Sequence, residues 1–145
     1  TRPPPGFERV YPPEAEQAAG ALFETVDGPS GWHAAEAGLS GLLPLYELFS
    51  TTDGVVAYAR CTITAPADGE VRLGLGSNDG ARLWVNGELV YSEHGPRGGS
   101  PRDEEIVVPL RSGPNTVLAK VENLGQNWKL YLSIHDPARV YQFSR

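Results

Sequence analysis

The chain has 145 residues, of which 40% are hydrophobic, with 17 Gly, 13 Pro and a formal net charge of −6. This length suits one domain with an ordinary core, and such dense punctuation by Gly and Pro points to many short strands, not a helix bundle. The acidic balance argues against nucleic acid and anionic membrane surfaces as partners, because both require a concentrated positive footprint.

No apolar run approaches the roughly 20 residues needed to span a bilayer, so no membrane span is expected. The single cysteine, Cys61, leaves no internal disulfide and no cysteine-built metal cluster. The start at Thr1, with neither Met nor a charged-then-apolar leader, reads as an excised mature domain.

Residues 1–18 carry Pro3-Pro4-Pro5 and Pro12-Pro13 and read as a Pro-rich extension or linker, with residues 19–145 as the folded domain. Glu14 to Phe23 suits either a short helical turn or the approach to a strand at Ala21–Thr25. Gly28-Pro29-Ser30-Gly31 predicts a loop, as does the stretch from Gly38 to Gly41, and Leu42 to Phe49 is a short apolar stretch broken by Pro44. From Val55 to Thr64 the pattern alternates: Val55, Ala57, Ala59, Cys61 and Ile63 face one way, and Val56, Tyr58, Arg60 and Thr62 the other.

A turn at Ala65–Gly69 leads to a strand with Val71, Leu73 and Leu75 inward. Two hairpins are then predicted, one through Ser77-Asn78-Asp79-Gly80 and one through Asn86-Gly87, because Asn, Asp and Gly accept the positive φ that tight hairpins require. A polar loop from Ser92 to Arg102 follows, then a strand marked by Ile106, Val108 and Leu110. Arg111-Ser112-Gly113-Pro114 predicts a turn, Thr116–Glu122 a strand and Asn123–Asn127 a loop. Trp128, Leu130, Leu132 and Ile134 mark the next strand, and Val140–Phe143 suits a last short one. Eight or so strands at about ten-residue spacing describe an all-β, antiparallel two-sheet sandwich.

Four stretches carry a family resemblance: Val56-Ala57-Tyr58-Ala59-Arg60, the run from Leu75 through Trp84-Val85-Asn86-Gly87 to Val90, Gly113-Pro114-Asn115-Thr116-Val117-Leu118, and Trp128–Ile134. Together they resemble the galactose-binding-like jelly rolls appended to bacterial, often secreted, polysaccharide-active proteins. The Asn78-Asp79-Gly80 and Trp84-Val85-Asn86-Gly87 elements are also similar to carbohydrate-binding domains associated with protective antigen. The resemblance covers somewhat over half the chain. It implies a jelly roll, an extracellular or periplasmic setting, an oligo- or polysaccharide ligand and a neighbouring domain of the same chain. Asn78 stands where that pattern has an Asp, which weakens any calcium site there.

The candidate ligand-binding residues are Trp84, Arg82, Asn86, Arg97 and His94. If Leu83 and Val85 face the core, Trp84 and Arg82 face outward, and an indole beside a guanidinium makes a sugar platform. The competing reading packs Trp84 beneath a loop or the Pro-rich arm. The Ser92–Arg102 loop, with Glu93, His94, Arg97 and Arg102, supplies both donors and carboxylates on a rigid scaffold. Trp128 and Cys61 are in phase with core residues, and Trp32 either caps the sandwich or lines a pocket.

Ser77, Asn78, Asp79 and Glu122 carry oxygens suited to calcium, but their spacing matches no calcium loop, and turn residues bonding backbone is the preferred reading. No cofactor is expected. His33, His94 and His135 share no ligand spacing, and Asp103-Glu104-Glu105 reads as a solvated lip. The expectation is therefore a non-catalytic carbohydrate-binding-type module that tethers an attached enzyme to a glycan. The alternative is a structural or protein-interaction sandwich within a larger protein.

Overall fold

The computed structural model describes Phe7, Glu8, Glu14 and residues 23–25, 28–30, 41–48, 55–100, 102–125 and 127–144. Within them lie β1 (Phe23–Thr25), β2 (Gly28–Ser30), β3 (Leu42–Leu43), a helical turn at Leu45–Leu48, β4 (Val55–Ala65) and β5 (Gly69–Asn78). Then come β6 (Ala81–Val85), β7 (Glu88–Glu93), β8 (Glu104–Leu110), β9 (Gly113–Asn123), β10 (Lys129–Ile134) and β11 (Gln142–Ser144). Apart from a small β1–β2 ribbon, they form two antiparallel sheets, a four-stranded β3-β10-β5-β8 and a five-stranded β11-β4-β9-β6-β7. The fold is an antiparallel β-sandwich.

Alternation decides which side chains meet between the sheets. Leu73 and Leu75 of β5, Val108 of β8 and Leu130 of β10 face Ile63 of β4, Leu83 of β6 and Val117 and Val121 of β9, all essentially inaccessible. Trp128 joins this core and donates its indole N–H to the Val121 carbonyl at 3.3 Å. Cys61 packs against the same core, and burial pushes its thiol up to about 11.

Two local expectations are corrected. Gly28–Ser30 is not loop but a strand that pairs with Phe23–Thr25. The Ser77–Gly80 turn does not close a hairpin: β5 pairs with β8 and β10 in one sheet, while β6 pairs with β7 and β9 in the other. This segment is the corner at which the chain crosses between sheets. A corner and a hairpin need the same backbone-bonding residues, so the composition of the turn does not distinguish them. The Asn86-Gly87 hairpin does form, with φ of 50° and 83°, the left-handed pair that a two-residue turn requires. Among the described residues, no helix is long and apolar enough to cross a membrane.

Candidate functional site

The outer face of the five-stranded sheet carries Arg82 and Trp84. Sheet register aligns Tyr58, Lys120 and Arg82 in one row across β4, β9 and β6, with Leu118 beside Trp84 in the next. Residues pointing away from a core ordinarily meet water. Here Trp84 is only 8% exposed, and Leu118 and Lys120 are likewise buried.

Phe7 and Glu14 of the N-terminal stretch engage this face. Phe7, itself buried, lies with its ring centroid 4.5 Å from the Arg82 guanidinium carbon and 4.8 Å from the His94 ring. Glu14 accepts the Lys120 ammonium at 2.5 Å and the Tyr58 hydroxyl. Burial holds the Lys120 ammonium below its ordinary range, against the opposing pull of Glu14. Arg82 also donates through Nε to the Ser92 hydroxyl at 3.1 Å. Trp84 and Arg82 thus belong to a covered face.

The Ser92–Arg102 loop is fastened to the sandwich corner by two buried carboxylates. Asp79 accepts the Leu124 amide at 2.6 Å on one oxygen and the Arg97 amide at 3.3 Å on the other. Glu122 Oε2 takes the Gly95 amide and His94 Nδ1, both at 2.8 Å. Ser77 donates to the Asp79 carbonyl at 2.6 Å, and Asn78 to the Asn127 carbonyl at 2.8 Å.

Glycine permits the close approach. A Cβ on Gly76 would lie 1.8 Å from the Ser100 carbonyl oxygen. Ser77 Oγ, both Asp79 oxygens and Glu122 Oε2 are therefore engaged within the protein, as is the Asn78 amide nitrogen, and no cluster of three or more His, Cys, Asp or Glu able to hold a metal occurs among the described residues. Arg97 Nη1 donates to the Tyr91 hydroxyl at 2.6 Å, and burial raises the Tyr91 phenol above 10.0 despite this contact.

Asn86 lies at a hairpin end, apart from Trp84's face. Its side chain donates to Asn115 Oδ1 at 2.8 Å and accepts the Thr116 amide at 3.0 Å. Asn115, buried, donates in turn to the carbonyls of Ile63, Arg111 and Gly113. The structure joins Arg82 and His94 through Phe7 and places Arg97 in the adjoining loop. It does not bring Asn86 to them. Trp32 lies outside the described residues.

A second candidate site lies on the four-stranded sheet. Two adjoining grooves, of about 390 and 490 Å³, run along the four-stranded sheet beside the turn at Asp136–Arg139, sharing Arg72, His135, Asp136 and Pro137. The smaller also holds Arg102, Glu105 and Ser133. The outward phase of Arg72 in β5 was a legible signal. That Ser133 and Glu105 flank it depends on the β10-β5-β8 strand order, which no local pattern encodes.

For catalysis the nearest approach is the His94–Glu122 pair, since a carboxylate on Nδ1 can orient an imidazole. No hydroxyl or thiol among the described residues is hydrogen-bonded to that ring. No family model, curated protein or solved structure matches this chain.

Proposed function

We propose that this is a non-catalytic accessory β-sandwich that works as a structural or protein-interaction domain, with the outer face of its five-stranded sheet built to hold a polypeptide segment. The observation that carries this reading is the burial of Trp84 on a face turned away from the core, where Phe7 and Glu14 engage Arg82 and Lys120. A sugar platform needs an indole open to a ligand's C–H faces, whereas a covered indole beside paired charges is how an interface is constructed. The implied partner is a neighbouring domain joined through the Pro-rich segment.

Carbohydrate binding is the second reading, favoured by the polar groove on the opposite sheet. The two readings separate cleanly. Trp84→Ala should cost about 3 kcal/mol of stability, as a buried aromatic does, and Arg82→Ala should leave any polysaccharide retardation in native gels unchanged. A Trp84→Ala variant as stable as the parent, together with retardation lost in Arg82→Ala, would return the ligand site to this face.

A further inference from the structure

The groove beside Arg72 differs from the sequence-nominated residues in one chemical respect. Arg82, Asn86, His94 and Arg97 are all engaged within the protein. The side chains of Arg72, Arg102, Glu105, Ser133 and His135 make no hydrogen bond or ion pair with any described residue. Two guanidiniums with full donor sets, a hydroxyl, an imidazole and a carboxylate thus share one groove of about 390 Å³. The remaining carboxylate, Asp136, already accepts the Val140 and Tyr141 amides at 3.0 Å each.

Arg102 is set in place by the backbone. Its φ is 58°, a left-handed conformation uncommon for a residue with a side chain, and such outliers persist where the surroundings over-determine them. Ser100 and Asp103 close a turn around it, with the Ser100 amide 2.8 Å from Asp103 Oδ2. Its stem lies on Gly74, where a Cβ would come within 2.3 Å of Arg102 Cγ and 2.7 Å of Ser133 Oγ. The loop that bears it is fastened by Asp79 and Glu122. The stem of Arg102 thereby rests on the sheet at Gly74, at the groove that this residue lines.

We propose that this groove binds a polyhydroxyl ligand bearing a carboxylate, an acidic saccharide residue, with Arg72 and Arg102 on the carboxylate and Glu105 and Ser133 on hydroxyls. Planar guanidiniums match carboxylates with paired donors, and Glu105 accepts from hydroxyls but repels a purely anionic ligand such as inorganic phosphate. The apolar shelf of Pro137 and Val140 in the adjoining groove suits the C–H face of a second ring. The inference rests on the carbohydrate reading for the hydroxyls and on the free arginines for the carboxylate.

The test is affinity electrophoresis of the full chain in polygalacturonate and in its fully methyl-esterified form. Retardation by the acid alone is expected, weakened at least tenfold in Arg72→Gln and in Arg102→Gly, and unchanged in Arg97→Ala. Arg102→Gly retains the positive φ, so loss of binding there is not loss of the loop, and denaturation midpoints check each variant. Equal retardation by acid and ester would overturn the carboxylate assignment while leaving carbohydrate binding in place. Retardation by neither, or retardation indifferent to Arg72 and Arg102, would overturn the site.

Discussion

The Lys120 ammonium lies 2.5 Å from the Glu14 carboxylate, a contact across 106 positions of sequence. The lysine side chain is wholly inaccessible and Glu14 nearly so. Taking two such charges out of water is costly, and the pair holds only because geometry and further hydrogen bonds offset that cost. The Tyr58 hydroxyl supplies one such bond to Glu14. Arg82, next in the row, repels the lysine. Removing one partner is consequently far worse than replacing both.

The same burial sets a pH signature. Burial, partly opposed by Glu14, lowers the Lys120 pKa from 10.5, so the native state loses this proton before the unfolded chain does. Between that lowered value and 10.5 the unfolded state binds more protons, and stability rises with pH. Below the window both states are protonated and the contribution is flat. Tyr91, raised from 10.0 by burial, acts in the opposite sense above 10.0, so the comparison must be differential. Wild type should gain stability relative to Lys120→Met as pH rises toward 10.5, measured by urea denaturation across the alkaline range.

Asp79 and Glu122 fasten one loop through different geometries, and their amides should not be equivalent. Asp79 uses both oxygens on backbone donors, so Asp79→Asn must point an NH₂ at an N–H and should cost about 2–3 kcal/mol. Glu122 uses one oxygen for both partners, and a glutamine carbonyl can retain them, so Glu122→Gln should cost about 1 kcal/mol. Amide exchange checks the assignment: Leu124 and Arg97 should lose protection in Asp79→Asn, and Gly95 should not.

The periodic part of this fold was legible from residues alone. Alternation from Val55 to Thr64 corresponds to an eleven-residue strand, and the inward phase of Trp128 and Cys61 is the one observed. Asn86-Gly87 is a hairpin because its two positive φ angles are a local requirement. What escaped is non-local. Ser77–Gly80 carries hairpin residues but turns a corner between sheets, and only strand pairing reveals it. Trp84 lies opposite Leu83 and Val85, as alternation implies, yet it is buried on that outward face, which local alternation does not encode. The Arg72 groove is assembled from β5, β8, β10 and the following turn, so no single stretch of sequence contains it.

The close approach of loop to sheet at Gly76 has a direct steric test. A methyl there would meet the Ser100 carbonyl oxygen at 1.8 Å, a backbone atom that cannot step aside. Gly76→Ala should destabilise by about 3 kcal/mol, in the range of severe overpacking. Gly98→Ala, with nothing within 4 Å of the added Cβ, should stay within about 0.5 kcal/mol of wild type. Both are read from urea midpoints.

Cys61 offers a probe of core integrity. With its thiol raised by burial from 9.0 to about 11, the native thiolate population is depressed roughly 100-fold relative to the unfolded chain. Alkylation by iodoacetamide at mildly alkaline pH should be slower by at least that factor in the native protein than in urea. A native rate equal to that of a free thiol would contradict the buried placement.

The measurement that bears most directly on the sheet face as a polypeptide-holding surface is a double-mutant cycle on Glu14→Gln and Lys120→Met in the full chain, read by chemical denaturation. Glu14→Gln alone, which strands a buried ammonium, should cost about 3 kcal/mol, and the pair should show a coupling of about 2 kcal/mol. A double variant close to wild type would fit the same account, since both charges leave together. A Glu14→Gln variant within about 0.3 kcal/mol of wild type, with no coupling to Lys120, would contradict it, because the N-terminal stretch would then not be held on this face at all.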